Sequence, residues 1–115
     1  MANFIELKSS KQLAELIDKS NHESVVLFKH SLTCPISTSV YNEVSDVEAD
    51  VNLVIMQKSR EISNEIAQKT GIRHESPQAI VLKNGKAVYH ASHYEITAED
   101  IEISLESRVQ SLESN

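Results

Sequence analysis

Apolar residues fall in short clusters separated by polar turns, and their spacing changes along the chain. Residues 3–7 read as a short strand. Ser9 and Gln12 form a capping-box pattern that opens a helix, with Leu13, Leu16 and Ile17 on one face. Residues 24–30, rich in β-branched and aromatic side chains, predict a buried strand. Pro35 suits a helical first turn because its missing N–H would be unpaired there anyway. Ile36, Val40, Val44 and Val47 follow at helical intervals and predict a helix over 35–49. Residues 52–57 form another buried strand, and residues 59–70 a helix with Ile62 and Ile66 inward, stopped by Gly71. Asn84-Gly85 between apolar runs at 78–83 and 86–90 is a strong hairpin signal. Thr97 through Asp100 cap a last helix carrying Ile101, Leu105 and Val109, and the final Ser- and Glu-rich residues read as a frayed end.

The order is β-α-β-α-β-α-β-β-α. Parallel strands come first, then an antiparallel edge, with helices on both faces, which is the order of a thioredoxin-like α/β fold around a central mixed sheet. At 115 residues the expectation is one such domain over 1–115. Only 4% of residues are aromatic, so Val, Ile and Leu must build the core.

A net charge of −6 and unclustered Lys and Arg argue against nucleic acid and anionic membranes as partners. The apolar runs are too short to span a bilayer. The N-terminal MANFIELKSS lacks the basic-then-apolar pattern of a secretory signal, and one cysteine excludes an internal disulfide. A cytoplasmic location and a monomer are expected.

Chemistry concentrates at Cys34. An arbitrary lone cysteine is more often a small buried hydrophobe. This one lies at a strand-to-helix junction, one residue before the helix-opening proline, where backbone N–H groups and the positive helix end favour thiolate over thiol. The thiolate is the form that attacks disulfides. Ser37 stands where a dithiol protein keeps its second cysteine, so an adduct on Cys34 needs an external thiol to resolve it. Ser37 is expected either to donate a hydrogen bond to the thiolate or simply to cap the helix. In a fold of this order the loop ahead of the hairpin carries a proline facing the thiol, joined by a cis bond, and Ser76-Pro77 stands there. The Ser76 backbone is then free to pair with a bound thiol or peptide like one rung of an added strand.

Thr33-Cys34-Pro35-Ile36-Ser37 resembles the active-site motif of the monothiol bacilliredoxins, a similarity that extends through Ser76-Pro77 and the turn at Lys83-Asn84-Gly85-Lys86. The resemblance implies thiol–disulfide exchange that removes bacillithiol from S-bacillithiolated client proteins. Cys34 is then the nucleophile, bacillithiol the co-substrate, and no cofactor is tightly bound. Thr33, Pro35, Ser37, Ser76 and Pro77 are the residues that would stabilise the thiolate or bind substrate. Members with a Cys-Gly-Cys arrangement differ from this chain, which puts autonomous disulfide reduction in doubt. By analogy with glutaredoxin-type proteins, Lys29 or Arg73 could face bacillithiol's carboxylates; the favoured reading takes both as solvated surface charges.

Other readings are weaker. His90 and His93 sit near a strand end, where neighbours alternate faces, so no metal site is expected. His30 could tune the thiolate, but is read first as a strand-end residue with a backbone partner. A cysteine phosphatase needs Arg six residues after its nucleophile, and position 40 is Val. Peroxidase chemistry lacks a nearby Arg. The alternative from another class is a thioredoxin-fold module that binds peptides or senses redox state without catalysis.

Overall fold

The sheet order is β1-β3-β2-β4-β5. In this computed structural model the backbone is described over residues 1–113 and the side chains over 1–106, so the predicted inward position of Val109 and the frayed end lie outside the described side chains. The strands are β1 (Asn3–Glu6), β2 (Val25–His30), β3 (Asp50–Ile55), β4 (Gln78–Lys83) and β5 (Lys86–Ser92). The helices are α1 (Ser10–Lys19), α2 (Pro35–Val44), α3 (Arg60–Thr70) and α4 (Ala98–Glu113), with a 3₁₀ turn at His93–Glu95 ahead of the last. Strands β1, β3 and β2 run parallel, while β4 is antiparallel to both β2 and β5. No described helix is long and apolar enough to cross a membrane.

Local chemistry explains the ends of these elements. Ser9 caps α1 by accepting from the Gln12 N–H, and Gln12 reaches back to the Lys8 N–H, one residue further than an ideal capping box. Thr97 accepts from Asp100 N–H at the start of α4. Gly71 ends α3 at φ 74°, and Asn84 and Gly85 both take positive φ, the geometry of a type I′ hairpin turn. Helix α2 is shorter than the predicted 35–49. It stops at Val44, and the chain turns so that Val47, though no longer helical, is still fully buried. Apolar spacing alone could not separate a fourth turn of helix from a turn that puts the same valine inward.

The central strand β2 is buried at all six positions and its side chains alternate between two cores. Val26 and Phe28 join Val40, Val44, Val81 and Ile101 under α2 and α4. Val25 and Leu27 join Leu13, Ile62, Ile66 and Leu82 under α1 and α3. The functional end of the molecule lies where β2 runs out between these two layers.

Candidate active site

Cys34 is the N-cap of α2, at φ −97° and ψ 117°, partly exposed and free of any disulfide. Its carbonyl accepts from the Thr38 N–H at 3.1 Å and the Thr38 Oγ1 at 3.4 Å, so the residue is held by its backbone. The helix that follows has no acidic residue in its first turn and begins with Pro35. The N–H groups of Ile36 and Ser37 have no acceptor within the helix, and with the helix dipole they create a positive end at the thiol. Thr33 and Pro35 are exposed beside it.

Ser37 is fully buried and does neither of the things expected of it. Its Oγ accepts from the Ser31 N–H at 3.0 Å and lies 2.7 Å from Nδ1 of His30. It therefore fastens the cysteine loop to the end of β2; it does not cap α2, and it makes no hydrogen bond to the thiol. Having two lone pairs and one proton, a hydroxyl so placed is largely committed. His30 has the backbone partner expected of it, Met56 N–H to its carbonyl, but its ring also anchors Ser37. Burial pushes the His30 imidazole below the ordinary histidine range, so it stays neutral near pH 7.

A second fastener went unread in the sequence. Gln57, just past β3, accepts from the Leu32 N–H at 3.1 Å and donates to Ser31 Oγ at 3.0 Å and Thr33 Oγ1 at 3.3 Å. One amide thus holds the three residues that precede Cys34. An exposed glutamine has no periodic signature, so only its spatial neighbours reveal it.

The Ser76-Pro77 bond is cis. Pro77 is buried, and its carbonyl accepts from the His93 N–H at 3.0 Å, which ties the loop to the start of the 3₁₀ turn. Ser76 is different: among the described residues neither its N–H nor its C=O has a hydrogen-bond partner, and its buried Oγ has none either. The Ser76 backbone is thus unpaired in the folded chain.

Lys29 corrects both readings given to it. It is only 1% exposed, so it is neither a solvated surface charge nor a group open to a ligand. Strand alternation turns it to the α3 side, where Nζ donates to the Ser63 carbonyl and lies 3.2 Å from His74 Nδ1. Burial lowers its pKa to about 8. Arg73 is exposed, as expected. Three cations, Lys8, Lys58 and Arg60, gather round one cavity. They line a hollow of about 400 Å³ together with Gln57, Ser59 and Glu61. Among the described residues none of the three is in an ion pair.

The architecture has solved counterparts. One protein with a thioredoxin fold superposes with a TM-score of 0.81 at 33% identity, covering 88% of this chain and 92% of that one. Thioredoxin from Trypanosoma brucei brucei gives 0.73 at 12% identity, covering 94% and 92%, and Fasciola hepatica thioredoxin gives 0.68 at 15%, covering 89% and 96%. These last two speak for the fold alone. The family described as monothiol bacilliredoxin BrxC matches residues 5–101, a span that includes the cysteine loop, Gln57 and the Ser76-Pro77 loop. With a single thiol at the head of a helix, a serine bound elsewhere in the second thiol's place, and a family match over most of its length, the chain belongs to the monothiol bacilliredoxins and is a thiol–disulfide oxidoreductase.

Proposed function

We propose that this protein removes bacillithiol from protein mixed disulfides in the cytoplasm, using Cys34 alone. The observation that carries the reading is the pairing of a partly exposed Cys34 at a positive helix end with a buried Ser37 that is bonded to His30 and Ser31. Nothing within the chain can resolve an adduct on Cys34.

The Cys34 thiolate attacks the bacillithiol sulfur of the mixed disulfide. A new S–S bond forms between Cys34 and bacillithiol while the old one breaks, and the client leaves as a thiolate that takes a proton from water. A second bacillithiol thiolate then attacks the adduct and departs as bacillithiol disulfide, restoring the Cys34 thiolate. The client sulfur returns from disulfide to thiol level by gaining one electron equivalent, which the second bacillithiol sulfur loses, while the first bacillithiol stays at the disulfide level throughout; a separate reductase must recycle the disulfide.

Two features support substrate recognition. The unpaired N–H and C=O of Ser76, beside Pro77, offer a backbone rung to the captured adduct. The hollow lined by Lys8, Lys58 and Arg60 adjoins Gln57, which touches the residues leading into Cys34, and its charge suits the carboxylates of bacillithiol.

The test is intact-mass spectrometry of the reduced protein mixed with a bacillithiolated client, with a glutathionylated client in parallel. A bacillithiol adduct on Cys34 with restored client thiol, favoured over glutathione, supports the reading. An unmodified Cys34 beside a client that stays capped would replace catalysis with the binding or redox-sensing alternative.

A further inference from the structure

Lys29 is a buried ammonium without a carboxylate partner. Its Nζ finds only the Ser63 carbonyl at 3.2 Å and His74 Nδ1 at 3.2 Å, while Ser63 Oγ lies 3.0 Å from that same Nδ1. Because an ammonium can only donate, Nδ1 of His74 must present its lone pair, which puts the imidazole proton on Nε2. The contact thus joins β2, α3 and the segment after α3 at one point. That point is two residues before Ser76. Elsewhere this segment is held by the Thr70 hydroxyl, which accepts from Ile72 N–H, by Gln78, which donates to the Arg73 carbonyl, and by a bond between Glu75 and Ser92.

An apolar side chain of similar length would fill the site at lower desolvation cost, so packing gives no reason for the charge. What the ammonium adds is direction: two donors aimed at two separate elements. We propose that Lys29 is a positioning residue that, through His74, fixes the Ser76-Pro77 loop against α3 and so sets the backbone edge on which the mixed disulfide is laid. This rests on the exchange reading above. Burial above all holds the His74 pKa below the ordinary histidine value, helped by the charges of Lys29 from β2 and Arg60 from α3 and opposed by Glu75 beside it.

The test compares the wild type with Lys29→Met and with His74→Leu, the latter at a partly exposed position. The substrate is a single-cysteine protein carrying a bacillithiol mixed disulfide. The expected result is a KM raised about tenfold, the scale of one lost hydrogen bond to a charged group, with kcat within about twofold. Amide hydrogen exchange at residues 74–76 should quicken in both variants, while the melting temperature of Lys29→Met should not fall. The wild-type KM should also change near pH 8, where Lys29 loses its charge, and Lys29→Met should lack that change. Unchanged KM and exchange rates in both variants would overturn the proposal, as would a fall in kcat and melting temperature accompanying the raised KM, which marks a purely structural residue. Failure of the wild type to load Cys34 would defeat the exchange reading instead, and amide exchange at 74–76 would still decide whether Lys29 fixes the loop.

Discussion

Lys29 and His30 are consecutive, both buried and both at the end of β2, yet they serve opposite sides of the sheet. His30 turns toward the α2 layer and holds Ser37, and through it the cysteine loop. Lys29 turns toward α3 and holds His74, and through it the proline loop. Each adjacent base thus fastens one of the two loops to which the proposed exchange assigns the substrate sulfur. They differ in charge: the imidazole can be buried neutral, whereas the ammonium keeps its proton near pH 7 and is desolvated at a cost. The cysteine side of the site is therefore stabilised by its fastener, whereas the fastener on the proline side carries the desolvation cost of a buried charge.

The sharpest break in this comparison is chemical. Cys34→Ser removes the only thiol and should abolish transfer entirely while leaving the circular dichroism spectrum and melting temperature near those of the wild type. Retained transfer would show that neither fastened loop serves this sulfur.

Next in size, the two bases should respond with opposite signs when made apolar. His30→Phe takes from the buried Ser37 hydroxyl its ring partner, leaving only the Ser31 N–H, and should cost about 1–3 kcal/mol, whereas Lys29→Met should be neutral or stabilising. For a chain of this size about 1 kcal/mol moves the melting temperature by roughly 4 °C, so calorimetry separates the two.

The same contrast appears against pH. Lys29 is depressed from 10.5 to about 8 in the folded state, so between those values the unfolded chain binds more protons and stability rises with pH. The melting-temperature gap between Lys29→Met and the wild type should narrow across that window. His30 and His74 are both held below 6.5, so the stability they preserve as neutral rings is lost as pH falls from that value. His30→Phe should blunt the acid loss.

The smallest effects belong to exposed groups. Gln57→Ala should slow adduct formation about threefold by loosening the loop before Cys34, with little change in stability. Neutralising Lys8, Lys58 and Arg60 together should raise the KM for bacillithiol a few-fold at low salt and less at high salt, because exposed charges are screened within about 10 Å at 0.1 M. A neutral small thiol should be unaffected.

Much of this site is readable from sequence because it is local. The Thr33–Ser37 motif, the proline at the helix start and the Asn84-Gly85 turn each depend on neighbours within a few residues. The buried lysine does not. Its partners lie 34 and 45 residues away, and a cation inside an apolar run looks like an exposed charge until those partners are in place. Ser37 was located by its spacing from Cys34, but its role depended on a histidine seven residues earlier, on an element whose side-chain direction only the folded sheet defines. The shortened α2 has the same origin, since a valine can face the core from a turn as well as from a helix.

The presence of serine at position 37 in a chain with one cysteine has a consequence for throughput under the exchange proposed above. A chain that cannot clear its own adduct waits for a second small thiol, so at steady state the fraction of molecules capped on Cys34 rises as the free thiol pool falls. The protein is then a gauge of that pool as well as a consumer of it, and one mass-spectrometric ratio of capped to free chain would read the gauge.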